Sequence, residues 1–170
     1  MIQSQVKLKL SKTQENQLNG WLCNLTSIWN WAIRKIELNA KDKIYFSEKK
    51  FQNLLANHSK TLEIPSHTIQ GTLMDAHNAW ARCFKGLAKK PRLKGIRRPL
   101  NSISFVDPIK INGHKVTIPG VGKLRFHKQT IPTGKIKRGR ICKRASGWYL
   151  CLFVDAKPKE IVRISHNQIG

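Results

Sequence analysis

A chain of 170 residues with 40% apolar content can build one compact domain or two small ones, so wholesale disorder is excluded. Its 32 Lys and Arg against nine Asp and Glu give a formal net charge of +23. Small enzymes acting on neutral metabolites do not carry such a field, because the folded state must bear the self-repulsion; a polyanion, and nucleic acid first among them, is the partner that relieves it. No stretch approaches the ~20 apolar residues of a membrane span, and the opening MIQSQVKLKL lacks the basic and continuous apolar regions of a secretory signal, so a cytoplasmic protein is expected.

Val6, Leu8 and Leu10 alternate with Lys7 and Lys9, the period-2 pattern of a half-buried strand over residues 2–10. Ser11 and Gln14 stand at the N-cap and N3 positions of a capping box. Leu18, Trp21, Leu22, Leu25, Ile28, Trp29, Ala32 and Ile36 then follow at helical spacing, predicting one long amphipathic helix to about Asn39. Trp21, Trp29 and Trp31 read as packing bulk on it. After a polar break a shorter helix is expected from Ser47 to Asn57, buried through Phe51, Leu54 and Leu55. Pro65-Ser66 opens a third, with Ser66 as its N-cap and a stripe of Ile69, Leu73, Ala76, His77, Trp80, Phe84 and Leu87. Beyond Pro99 the period switches to 2. Short strands are predicted at Ser102–Val106, Ile109–Ile111, Lys115–Ile118, Lys123–Phe126, Lys135–Lys143 and Trp148–Ala156, separated by turn signals such as Asn112-Gly113 and Pro119-Gly120. Trp148, Leu150, Leu152 and Val154 share one face of the last strand. A lone first strand is not stable by itself, so it is expected to complete the later sheet. The fold class read from this order is α+β: a small antiparallel, oligonucleotide-binding-like β-barrel with an inserted three-helix lobe.

Hydrolytic chemistry needs convergent carboxylates or a metal cluster. The acids include no pair at helical i, i+3 or i+4 spacing, and Asp75 and His77 fall on different helix faces. The six histidines are scattered, and Cys23, Cys83, Cys142 and Cys151 form no Cys-x-x-Cys pair, reading as buried free thiols. No P-loop, Gly-x-Ser-x-Gly or His-Glu-x-x-His is present. The expectation is a binder rather than an enzyme, with no cofactor and no metal of its own.

Binding features are richer. Lys85 to Arg144 holds eighteen Lys and Arg and one acid, Asp107. Within it, Lys89, Lys90, Arg92, Lys94, Arg97 and Arg98 place six cations in ten residues, and Lys135, Lys137, Arg138 and Arg140 continue the sign along a strand, whose alternation sets Lys135, Lys137 and Lys143 on one face. These ten positions are the candidate contacts to a nucleic-acid backbone.

One ordered set of motifs runs along the chain: Gln14, Gln17 and Trp21-Leu22 with Ile28-Trp29-Asn30-Trp31-Ala32-Ile33, then Ile64-Pro65-Ser66, Gln70-Gly71-Thr72-Leu73, Ala79-Trp80 and Phe84-Lys85-Gly86, then Pro91-Arg92-Leu93-Lys94, and finally Gly147 to Val154. On these residues the sequence resembles the TnpB/OrfB family of transposon-encoded, RNA-guided DNA nucleases, relatives of type V CRISPR effectors. Thr26 stands where the family has Arg, and Leu93 where it has Phe. The resemblance implies a wedge barrel (residues 1–10 and 98–165) interrupted by a recognition lobe (11–97), with 166–170 beginning a linker to a RuvC nuclease domain. The implied partners are guide RNA and target DNA, together with a RuvC-containing part whose acids, magnesium and zinc sites this sequence does not include. By family position, Phe46, Gln70 and Val106 are implied to contact a DNA motif flanking the target; the Gln70 amide can pair with an adenine edge. The rival expectation is a helix-turn-helix DNA-binding accessory protein or transcriptional regulator using residues 11–38.

Overall fold

A computed structural model describes residues 1–127 and 129–155; the end of the 98–165 segment, the 166–170 linker and the last residue of the expected Trp148–Ala156 strand lie outside the described residues. The first strand, β1 (Ile2–Lys9), buries Val6 and Leu8 on one side. Ser11 then caps α1 (Lys12–Lys41): its hydroxyl accepts the Gln14 amide, and Gln14 Oε1 accepts the Ser11 amide. This is one uninterrupted helix of 30 residues, buried through Leu18, Trp21, Leu22, Leu25, Ile28, Ala32 and Ile33. Of the three tryptophans, Trp21 is buried, Trp29 packs against the core, and the more exposed Trp31 stacks on Phe51 with ring centroids 6.3 Å apart.

The helix expected over Ser47–Asn57 is broken. α2 spans only Glu48–Gln52, followed by a 3₁₀ turn at Ala56–His58 and a single α-turn, α3 (Ser59–Leu62). Asn53 stops α2, its side-chain amide turning back to the Lys49 carbonyl; such local side-chain bonds compete with helix continuation. The third long element, α4 (Ser66–Phe84), takes Pro65 rather than Ser66 as its N-cap, and no side chain caps it. Its stripe also ends sooner than read: Ile69, Leu73, Ala76 and Trp80 are buried, whereas Phe84 and Leu87 are exposed.

The remaining strands are β2 (Ser102–Phe105), β3 (Lys110–Asn112), β4 (Lys115–Ile118), β5 (Gly122–Phe126), β6 (Lys135–Arg144) and β7 (Gly147–Asp155). All pairings are antiparallel, in the order β2-β6-β7-β1-β5-β4-β3. The first strand does complete the later sheet. Ile2–Lys7 pair with β7, while Leu8 and Lys9 pair with β5, so β1 is the seam between two halves. No ladder joins the edges β2 and β3 among the described residues; the architecture is helices on an antiparallel seven-stranded sheet, of class α+β.

Helices and sheet share one apolar core, which runs from Leu18 and Trp21 of α1 through Ile69 and Leu73 of α4 to Ile103, Val116, Leu124, Ile141 and Leu150 of the strands. Two side-chain amides fasten α1 to the sheet, Gln14 donating to the Lys123 carbonyl and Gln17 to that of Gly120 at 2.7 Å. α4 lies closest to β2 at Gly71, where an added Cβ would sit 2.6 Å from the Ser104 carbonyl oxygen. Only glycine fits there.

Candidate nucleic-acid interface

The cation-rich segment between α4 and β2 is held along α1 by three side chains on one helix face. Trp29 donates its indole N–H to the Arg92 carbonyl at 3.0 Å. Asn30 makes a reciprocal pair with Lys94, its amide donating to the Lys94 carbonyl and its oxygen accepting the Lys94 amide, both at 2.7 Å. Thr26 accepts the Leu100 amide at 3.1 Å while its own hydroxyl donates back to the Leu22 carbonyl. Positions 26, 29 and 30 project together because residues three and four apart are neighbours on a helix. Between these clamps, Arg98 donates its amide to the Gly95 carbonyl in a tight turn whose tip, Ile96, is fully exposed. The segment is therefore an ordered strap, which Thr26 serves through its hydroxyl.

The ten candidate cations divide by partner. Lys90 reaches Glu37 at 2.5 Å, Lys137 reaches Asp155 at 3.6 Å, and Arg140 reaches Asp75 at 3.4 Å. The Lys90 hydrogen bond, against a smaller opposing desolvation, holds the Glu37 carboxyl below its ordinary pKa. Arg140 is committed furthest: Asp75 also accepts the Ser104 hydroxyl at 2.6 Å, tying α4 to β2 and β6. That places Arg140 in a structural bridge. Arg138 leans its guanidinium on Met74 Sδ at 3.6 Å. Among the described residues, Lys89, Arg92, Lys94, Arg97, Arg98 and Lys135 have no acidic partner. All of these except the half-buried Lys94 are exposed.

A bulge changes the reading of β6. The register slips between Ile136 and Arg138, so Lys137 is the extra residue and alternation resets beyond it. Lys143 thereby falls on the side of Gly139 and Ile141, opposite Trp148, and not with Lys135 and Lys137. Its ammonium lies 5.6 Å from the Trp148 ring centroid and donates to Asn19 at 2.6 Å. The β6–β7 turn thus brings Lys143 and Arg144 to the strap. Together with Asn19, Cys23, Lys94 and Leu100 they line a groove of about 830 Å³ between α1, the strap and the sheet. The groove's cations come from two segments some fifty residues apart, which is why the charge runs alone did not join them.

The three positions implied to read a flanking motif gather around α4 without converging on one pocket. The Phe46 carbonyl bonds to His77 Nε2 at 3.0 Å, and Lys50 sits over its ring. Gln70 is half-buried and donates to Asn53 Oδ1 at 3.2 Å, and among the described residues its side-chain oxygen accepts no hydrogen bond. Val106 is exposed beside Asp107, whose carboxylate contacts His67 in the first turn of α4.

The cysteines depart from expectation. Cys23 is exposed, Cys83 and Cys142 are intermediate, and only Cys151 is buried. Burial, with a hydrogen bond shared with the neighbouring Cys151 sulfur at 3.4 Å, pushes the Cys142 thiol up to about 11. Among the described residues no three His, Cys, Asp or Glu side chains cluster as metal ligands, and no helix is long and apolar enough to cross a membrane. The chain matches no protein-family model and no curated protein.

Proposed function

We propose that this chain is the nucleic-acid-binding part of an RNA-guided, transposon-associated DNA-targeting protein of the TnpB/OrfB kind. In this reading it grips the guide RNA scaffold and the guide–target heteroduplex by their backbones, while base pairing supplies the sequence. The observation that carries the reading is the junction of Trp29-Asn30 with Arg92 and Lys94. Two motifs of the resemblance, more than sixty residues apart in the chain, meet through three hydrogen bonds. Their meeting stiffens a cation-rich strap over a groove, which suits backbone contacts that position rather than specify. The wedge barrel and the recognition lobe correspond, in this proposal, to the sheet and to the helices between β1 and β2. Gln70 on α4, with Phe46 before α2 and Val106 after β2, would face the flanking DNA motif. The site of action is the prokaryotic cytoplasm, on the nucleoid when DNA is bound, and cleavage belongs to a RuvC-containing part outside this sequence. The helix-turn-helix alternative needs a turn inside residues 11–38, where α1 is continuous.

The test is to recover the chain from its host without nuclease treatment, sequence the bound nucleic acid, and titrate that nucleic acid against salt. One enriched structured RNA is expected, with a log–log slope of roughly −6 to −7 for about eight phosphates. Replacing Arg92, Arg97 and Arg98 together by Ala should weaken binding to every sequence alike. Enrichment of a single duplex DNA sequence, or a slope near zero, would refute the reading.

A further inference from the structure

The outward face of β1, β5, β4 and β3 carries cations that no charge run in the sequence displays. Strand register sets Lys9 opposite Arg125 and Arg125 opposite Lys115. On the next row of the same face Lys123 stands opposite Thr117, and Thr117 opposite Lys110. All five cations are exposed, while their strand neighbours Leu8, Val116, Ile118, Leu124 and Phe126 point into the core. Neighbouring strands run about 4.8 Å apart and alternate residues about 6.8 Å apart, so the five charges, spread over four strands and two rows, occupy a patch of about 14 Å by 7 Å. A shallow depression of about 610 Å³ lies over it.

This arrangement is unfavourable for the free protein. Like charges directly opposite on adjacent strands destabilise a sheet, and here three stand in one row. No acid offsets them: none occurs between Asp107 and Asp155, and none of the five cations forms an ion pair among the described residues. The side chains point away from the core face that α1 covers, so this surface is separate from the strap and its groove.

We infer that the outer face of β1-β5-β4-β3 is a second phosphate-contacting surface, which takes the sugar–phosphate backbone of a nucleic-acid duplex. The cations supply charge at phosphate-like spacing. The ligand is a duplex because sequence-tolerant single-strand sites rely on aromatic platforms, and the depression exposes no Phe, Tyr or Trp, its one Phe, Phe126, being buried. The inference rests on the proposed nucleic-acid function but concerns a surface to which that proposal gives no role.

The experiment compares the full chain, the triple variant Lys9→Gln, Lys115→Gln and Arg125→Gln, and a control of equal charge loss, Lys41→Gln, Lys49→Gln and Lys60→Gln. Each is titrated by fluorescence anisotropy against an RNA duplex and a DNA duplex over a salt series. The face variant is expected to bind at least tenfold more weakly. Its salt slope should be shallower by roughly 2–3, at about 0.9 per lost phosphate contact, with a melting temperature equal to or above that of the unchanged chain. A loss confined to one duplex supports the surface and names its source as RNA or DNA. A face variant that binds both duplexes like the control overturns the surface and leaves the strap intact. An unchanged chain that binds neither duplex nor any structured RNA overturns the proposed function and this inference together.

Discussion

Asn30→Ala separates order in the strap from charge on it. The substitution removes both hydrogen bonds to Lys94 and nothing else that the strap uses. Each such bond contributes about 0.5–1.5 kcal/mol net, and Ala gains about 0.5–0.7 kcal/mol over Asn in a helix interior. Removing the clamp should therefore cost about 0.3–2.5 kcal/mol, concentrated in local opening of the strap because Trp29 and Thr26 still hold its two ends. Arg92, Arg97 and Arg98 would then have to be ordered by the nucleic acid itself. A local cost of about 1.4 kcal/mol corresponds to a tenfold weaker complex. The number of phosphates neutralised stays the same, so the salt plot should shift downward without changing slope. Anisotropy titrations at four or more salt concentrations give both quantities, and hydrogen exchange at the Lys94 amide reports the opening directly. Unchanged affinity alongside lost protection at Lys94 would show that the strap's order does not serve binding, and the argument from the Trp29–Asn30 junction would fall with it.

Gly71→Ala should lower the melting temperature although alanine is the better helix former, because its Cβ would meet the Ser104 carbonyl at 2.6 Å; relieving this overlap costs about 1–3 kcal/mol. A melting temperature equal to or above the parent's would disprove that close approach. Cys142, with its thiol pushed up to about 11, should resist iodoacetamide near neutral pH while exposed Cys23 is labelled. The same shift has a sign for stability: the folded state keeps a proton that the unfolded chain releases above its ordinary value of 9.0, so this contribution is complete below pH 9 and is lost as pH rises toward 11. Labelling of Cys142 as fast as Cys23 at pH 7.5 would contradict it.

The elements that could be read from the sequence are those whose signals are local. Ser11 and Gln14 cap α1 from four consecutive residues, and Leu150, Leu152 and Val154 keep a strict period. The misreadings arose where a distant partner or one inserted residue decides the outcome. Asn53, which terminates α2, also accepts from Gln70 across the helix pair, and an apolar count over 47–57 contains no trace of that. The bulge at Lys137 inverts the face of Lys143, which strict alternation cannot foresee. At the candidate interface the charge run of residues 89–98 was plain, but its order was not, since it depends on Thr26, Trp29 and Asn30 on another element. The commitment of Arg140 to Asp75 was likewise hidden by some sixty residues of chain. The row of Lys9, Arg125 and Lys115 belongs to three strands, and each residue read alone is one more polar position in an alternating pattern.

The seam position of β1 has a consequence for synthesis on the ribosome. Ile2 emerges early, yet its partner Val154 is about 150 residues downstream. At about 5–20 residues per second that is a wait of roughly 7–30 s. During it, α1 and α4 can dock on each other, while the first strand lacks β5 until residue 126 is made and β7 until the end. Pairings over such a separation are the slow ones, because the whole intervening loop must close before they contribute. A short, lysine-bearing strand suits this delay, since charge on an open edge discourages pairing with other nascent chains. Slower elongation across codons 100–145 should therefore prolong the exposed state of β1 and raise aggregation.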